Sequence, residues 1–344
     1  MLKTRSLNTN LIESVTKNLK LSSDDGKIYF YEYSNKTEDY NLPYCCKLSL
    51  KINGVEYKSW GNGFSKDEAS FKCVMELVER IIYKTNNVKT FKPFKGFFKK
   101  SKAIDEIESF YPRAKNWIGE TSSGIAIHSN LKKAKEHALN ELVERHIVLK
   151  ALACNIKPQK IKEPKIIDRY TLPANIKTSF YYWTGPFNIK VVICQVVTKE
   201  KGAMYSFGSD EELENAIEKA FLEATGMIIY AAKLKQDKKE NFSEIDMEAI
   251  RNYHLFSGDN YYFDFFDKAD NPENAIDKDL LLKDIYFTKL ENPSFLGNIP
   301  FVAVKCVSPV MQPLFFDYWK TDVLNPAAIS LNNKPLPRGL HVIT

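Results

Sequence analysis

The chain contains no Cys-x-x-Cys pair, and its six cysteines, Cys45, Cys46, Cys73, Cys154, Cys194 and Cys306, lie partly inside apolar runs. A zinc knuckle and a disulfide framework are therefore disfavoured. No stretch approaches the ~18 apolar residues of a membrane span, and Met1 to Lys20 lacks the continuous apolar segment of a signal peptide. A reducing cytoplasm is the expected setting, with no membrane partner. Neither a Gly-x-x-x-x-Gly-Lys-Ser/Thr loop nor a kinase signature occurs, so the common phosphate cradles are unsupported. Strong charge is also missing: the net value is +6 over 344 residues, with dispersed lysines and short clusters at Lys99 to Lys102 and Lys233 to Lys239. Nucleic-acid binders concentrate charge on one face, so none is expected as a partner. The basic, aromatic stretch 84–115 carries Phe91, Phe94, Phe97 and Phe98 among lysines, but Pro93 and Gly96 break it into a loop. No linker divides the chain. One large sheet-rich unit, 22–344, is expected after an N-terminal arm or helix at 1–21.

What is present is a repeat. Glu-Leu-Val-Glu-Arg occurs at Glu76 to Arg80 and again at Glu141 to Arg145, with Ala69 matching Ala134 and Cys73 matching Ala138. A third copy keeps Ala216, Ala220 and Glu223 at the same offsets. At about 100° per residue, Ala69, Cys73, Glu76, Glu79 and Arg80 share one stripe of a helix. Phe71, Val74, Leu77, Val78, Ile81 and Ile82 take the opposite, core-facing side. Solvent would accept any mixture of polar residues on the first stripe; repetition of type and position points instead to a shared site. Carboxylates converging on one cleft raise each other's pKa values unless cations join them. Magnesium suits such a set because it is hard, prefers oxygen and is held together with substrate phosphates. The arginines then face phosphate oxygens, which a planar bidentate donor fits.

Around the helices the chain reads as strands. Ile28 to Tyr33 is aromatic, Cys45 to Ile52 alternates, and Asn53-Gly54 before Val55 to Trp60 signals a hairpin. Gly61-Asn62-Gly63 then offers a backbone able to approach a ligand. Ser65 with Glu68 forms a capping box for the first helix, and Ser209 with Glu212 another for the third. Free amides at a helix start favour anions, so Ser65 is a candidate contact as well as a cap. Ser123 and Gly124 lead into the second helix and face the same cleft. Tyr181 to Gly185, Val191 to Val197, Ala203 to Phe207 and the apolar run Phe301 to Val307 complete the strands. Strand, cap, small-residue helix and acid recur, which predicts an α+β, pseudo-symmetric core of strands and helices around one cavity.

These motifs resemble the YcaO family, most closely its azoline-forming cyclodehydratases. The matching segments are Gly61-Asn62-Gly63-Phe64-Ser65 with Ala69 and Glu76 to Arg80, Ser122 to Ala126 with Ala134 and Glu141 to Arg145, and Gly208 through Ala220 to Glu223. Tyr253-His254-Leu255-Phe256 is similar to the family's His segment, and Val304 to Pro309 with Gln312-Pro313-Leu314 to its late strand and turn. The chain departs from the pattern at Asn62 (Lys is usual), Lys72 (a small Ser), His128 (Gly), and Gly226 and Ile228 (Gln and Arg).

The resemblance implies an ATP- and Mg2+-dependent enzyme that activates a peptide amide oxygen by phosphorylation after a nucleophile has added. It implies Glu76, Glu79, Glu141, Glu144 and Glu223 as metal ligands, Arg80 or Arg145 as the phosphate contact and Ser123 as a nucleotide contact, to which the helix start adds Ser65. Lys72, one turn before Glu76, is placed to supply a missing phosphate cation. For the general base only His254 and the carboxylate of Thr344 are candidates. Expected partners are a ribosomal precursor peptide, a separate leader-peptide-binding protein and a flavin-dependent dehydrogenase, with a homodimer left open. Thioamide or amidine formation, and a non-catalytic peptide-binding scaffold, remain alternative readings.

Overall fold

A computed structural model describes residues 2–86, 90–93, 102–103, 123–198, 203–233, 265–266, 276–277, 279–280, 284–297, 299–312, 324–325 and 327–329. Helix α1 (Leu2–Ser22) leads into an antiparallel sheet of β1 (Tyr29–Tyr33), β2 (Tyr44–Ile52) and β3 (Val55–Gly63). The expected hairpin is there: Asn53 and Gly54 take positive φ of 51° and 79°, and the Asp24 carboxylate accepts both of their N–H groups at 2.7 and 2.9 Å. Helix α2 (Lys66–Thr85) follows, then β4 (Thr90–Pro93), β5 (Lys102–Ala103) and β6 (Ile125–His128). Next come α3 (Leu131–Cys154), β7 (Gln159–Ile161), β8 (Ile176–Thr184), β9 (Lys190–Thr198) and β10 (Ala203–Asp210). Helix α4 (Leu213–Lys233), β11 (Tyr286–Leu290) and β12 (Val302–Val307) close the series. A second sheet runs β10-β9-β8-β7 and a third β5-β4-β11-β12-β6, so β12 is paired on both sides. This is the α+β architecture expected.

Three units of strand and helix repeat down to single atoms. Gly61, Ala69, Cys73 and Glu76 in the first correspond to Gly208, Ala216, Ala220 and Glu223 in the third, with Ala126, Ala134, Ala138 and Glu141 between. A Cβ on Gly61 would lie 2.1 Å from the Ala69 carbonyl oxygen; on Gly208 it would lie 2.5 Å from that of Ala216. Ser59 donates to the Cys73 carbonyl at 2.8 Å, and Ser206 donates to that of Ala220 at 2.7 Å. The small residues therefore seat each helix against its own strand. This corrects two expectations. Gly61 and Gly63 are glycine because α2 presses on them, not because a ligand does, and the small-residue stripe is buried rather than facing a cleft.

Each helix also leans on the next unit's strand, closing a ring. α2 packs on β3 and reaches β6, α3 packs on β6 and reaches β10, and α4 packs on β10 and reaches β3. Aliphatic faces fill separate cores on the outside, with Leu77, Val78, Ile81 and Ile82 from α2 in one and Phe221, Ala224 and Ile228 from α4 in another. Val15 and Leu19 tie α1 to the first of these. A methyl placed on Gly61 or Gly208 must push two backbones apart, and overpacking of this kind costs about 1–3 kcal/mol and occasionally more. A methyl on Gly226 meets only ordinary contacts of 3.6 to 4.0 Å. Chemical denaturation is expected to show Gly61→Ala and Gly208→Ala strongly destabilised, and Gly226→Ala neutral or stabilised by up to about 1 kcal/mol.

Candidate functional site

The ring directs the acid ends of all three helices inward. Glu76 is fixed by the Trp60 N–H at 3.1 Å and Glu141 by the Ile125 N–H at 3.0 Å, each pair sixteen residues apart. Burial raises the Glu79 carboxyl well above the usual range, and Glu141 and Glu76 raise it further. Burial likewise lifts Glu141 to about 7, with Glu144 adding and Arg145 opposing. Glu223 also rises to about 7, through burial and then through Glu76 and Glu144. Glu76 is raised by burial against the pull of Arg80. Carboxylates from α2, α3 and α4 thus sense one another across unit boundaries, and Arg80, Arg145, Lys72 and Lys305 beside them do not bring Glu76, Glu79, Glu141 or Glu223 back to the usual range.

Crowding and accessibility disagree at these residues, and the disagreement is informative. The side chains of Glu76 and Glu141 are 32% and 25% exposed, and Glu223 is more open still, although protein surrounds them closely enough to desolvate the charge. Groups lining a concave wall have both properties. On a convex surface there would be exposure without the penalty.

The two arginines are not equivalent. Arg80 grips Glu76 directly, whereas Arg145 stays 3.9 Å from Glu141 and 3.8 Å from Glu144, and its buried Nε makes no hydrogen bond among the described residues. Lys72 pairs with Glu68 at 2.7 Å and lies near enough to lower Glu223. Ser65 is exposed and caps α2, accepting the Glu68 N–H at 3.2 Å. Ser123 is buried at the turn before β6. Ser209 does not cap α4. It is the penultimate residue of β10 and donates to the Asn140 carbonyl at 3.2 Å, while Asp210 accepts the Glu212 N–H at 3.1 Å. His254 and Thr344 lie outside the described residues.

Lys305 on β12 was not among the expected site residues. It is fully buried, its ammonium is 3.5 Å from the Ser123 carbonyl oxygen, and burial pulls it down to about 7 against the attraction of Glu141. A lysine inside the apolar run Phe301 to Val307 was the available signal. His146, also buried, is structural. Its Nδ1 accepts the Gln312 N–H at 3.0 Å and its Nε2 meets Asp277 at 2.7 Å, locking the turn after β12 onto α3.

Carboxyls held above their usual range, beside a buried guanidinium nitrogen with no hydrogen bond among the described residues, call for cations and an anion together, so the residues fit a metal-bound polyphosphate. The family model described as YcaO cyclodehydratase, ATP- and Mg2+-binding, matches residues 107–311, more than half of the chain, including α3, α4 and β12. The chain belongs to the YcaO family. Its cofactors are ATP and Mg2+.

Solved structures share the YcaO fold at low identity. A heterocyclase in complex with substrate and cofactor superposes with a TM-score of 0.63 at 11% identity, over 95% of this chain. This chain spans only 56% of that heterocyclase's length. YcaO from Methanopyrus kandleri bound with AMPPCP and Mg2+ gives 0.57 at 13% identity, covering 89% of this chain and 91% of that one. The E. coli microcin synthetase McbBCD complex gives 0.54 at 14% identity, covering 82% and 88%. A search of curated protein sequences finds no match.

Proposed function

We infer that the chain is an ATP-dependent cyclodehydratase that forms thiazoline or oxazoline rings in a ribosomal precursor peptide, with residues 22–344 acting as one catalytic unit. The observation that carries this is the convergence of Glu76, Glu79, Glu141, Glu144 and Glu223, whose charges act on one another across three helices. Bound ATP supplies the phosphoryl group that makes the amide oxygen a good leaving group, and Mg2+ offsets the charge on that group. The five glutamates hold metal. Backbone N–H groups of Trp60 and Ile125 fix the rotamers of two of them before anything binds, which lowers the reorganisation needed. Arg145, with unused donors, meets phosphate. Lys305 favours the charged form of Glu141 and offsets part of the ring's negative charge.

The ring chemistry requires a Cys, Ser or Thr side chain of the peptide as nucleophile, and a separate leader-peptide-binding protein delivers that peptide. The test is mass spectrometry of a Cys/Ser/Thr-rich candidate peptide incubated with the chain, the partner, ATP and Mg2+. Loss of one water per ring with release of phosphate is the expected result. A mass gain from exchange of oxygen for sulfur would indicate thioamide formation, and no ATP turnover with any peptide would leave a scaffold. Full activity of the chain without a partner counts against the delivery step.

A further inference from the structure

Toward the helix N-termini the acid ring is followed by a second layer. One turn before Glu76, Glu141 and Glu223, the three helices carry Lys72, His137 and Lys219 at equivalent positions. At about 100° per residue His137 lies within about 40° of Glu141 and about 20° of Glu144, so it continues their line along α3 at a rise of about 6 Å. Two interactions that cross unit boundaries turn this layer toward the ring: Lys72 of α2 acts on Glu223 of α4, and Lys219 of α4 acts on His137 of α3. His137 is exposed, yet burial is the main cause that holds its imidazole below the usual histidine range, with Lys219 and then His128 adding and Glu136 opposing. Exposure with desolvation is the combination that marks the glutamates of the concave wall. The two lysines are committed, Lys72 to Glu68 at 2.7 Å and Lys219 to Asp210 at 2.6 Å. His137 makes no hydrogen bond or ion pair among the described residues; its ring meets that of His128 on β6 edge-on, with centroids 5.3 Å apart and planes at 86°. His128 is itself fixed, its Nδ1 accepting the Asn130 N–H at 3.2 Å where α3 begins. The charged groups around His137 are Lys133 and Glu136 on its own helix and Lys219 on α4, two cations to one acid, so the neutral imidazole is kept.

Ring formation needs a base near the acid ring, because the side chain that adds to the amide carbon must lose a proton. We propose that His137 is this base, taking the proton from the Cys, Ser or Thr side chain of the precursor peptide as its sulfur or oxygen bonds to the carbonyl carbon. The carbonyl π pair moves onto the oxygen, which becomes the oxyanion that accepts the phosphoryl group. Phosphate then departs with that oxygen, the amide nitrogen loses its proton to solvent, and the C=N bond completes the ring. The imidazolium returns its own proton to solvent on its exposed side. This rests on the cyclodehydratase reading. A neutral imidazole without a hydrogen-bond partner, one turn from Glu141, has the protonation state and the place for the task.

The test uses the full chain with its leader-peptide-binding partner, ATP, Mg2+ and a peptide that loses water in the assay above, prepared in two forms that differ only in Cys or Ser at the reacting position. His137→Gln is expected to slow ring formation on the Ser form by about 10²–10⁴. The Cys form should lose much less, since roughly a few per cent of a thiol is ionised at neutral pH without help, and raising the pH should restore it. Added imidazole should recover part of the rate in His137→Ala. Calorimetric affinity for ATP in the presence of Mg2+ should be unchanged in both variants. No loss on the Ser form, equal losses on both forms, or weakened ATP binding removes His137 from the proton transfer and leaves the ring-forming reading standing. If the unaltered chain removes no water from any peptide, that reading falls and the assignment of the base falls with it.

Discussion

A Glu141→Gln protein should lose Mg2+-dependent ATP turnover by about a thousandfold or more and yet unfold at a higher temperature than the parent when metal is absent. Both effects have one cause. Glu141 is desolvated and faces Glu144, and although Arg145, the Ile125 N–H and Lys305 all favour its charge, the net result is a carboxyl lifted from 4.5 to about 7. The charged form is therefore the disfavoured one in metal-free protein, by an amount on the order of 3 kcal/mol. Glutamine keeps the shape and an oxygen for Ile125, removes the charge, and cannot offset a divalent cation. Thermal melts with and without Mg2+ and ATP check the pair of effects. Mg2+ and ATP should stabilise the parent and leave the variant unmoved, since only a protein that binds a ligand gains from it. A variant that melts lower than the parent in the absence of metal would show Glu141 to be a structural ion-pair member instead.

The same carboxyl sets the direction of the pH dependence. Between 4.5 and about 7 the folded chain holds a proton on Glu141 that the unfolded chain has released, and Glu223 behaves alike. More protons on the folded state means that stability falls as pH rises. Their contribution is complete below the unfolded value and is lost as pH passes through about 7. Metal-free protein is accordingly expected to melt higher at about pH 5 than at about pH 8, and the gap should narrow when Mg2+ and ATP neutralise the ring.

The repeat was legible in the sequence because it is a spacing, and spacings survive any change in the surrounding chain. Offsets of small residue, small residue and acid placed Glu76, Glu141 and Glu223 on equivalent turns, and the structure puts all three on one ring. The meaning of the small residues was not legible. Gly61 reads equally well as a flexible ligand loop or as the floor under a helix, and only the 2.1 Å approach of the Ala69 carbonyl oxygen decides between them. Ser209 failed for a related reason. Serine three residues before an acid fits a cap, but here β10 runs one residue past it and α4 begins only at Leu213, with Asp210 accepting the Glu212 N–H in the turn between. Lys305 was hidden because its strand is identified by apolar content, and the reasoning that finds such a strand discounts the one residue that does not belong. Asn62 was noticed as a departure, but its orphaned oxygen is a property of the closed ring and has no counterpart in the linear chain.

The asymmetry between the two arginines supplies the other large effect. Sequence makes Arg80 and Arg145 interchangeable, each four residues after a glutamate. The fold does not: Arg80 has already spent a guanidinium edge on Glu76, while Arg145 approaches its glutamates no closer than 3.8 Å and keeps Nε unpartnered in a buried setting. A donor that pays its desolvation cost without a partner in the empty protein recovers it when an anion arrives, so its interaction is realised in the loaded site. Arg145→Ala is expected to lower kcat/KM for ATP by about 10²–10³, the loss typical of removing one preorganised donor to a developing charge. Arg145→Lys should recover little, because an ammonium cannot offer the planar pair of N–H groups. Arg80→Ala should act differently, freeing Glu76 to rise further and weakening Mg2+ affinity with a smaller change in turnover at saturating metal. Equal losses from the two alanine variants, both cured by added Mg2+, would return the arginines to the equivalence the sequence suggests and take the phosphate role from Arg145.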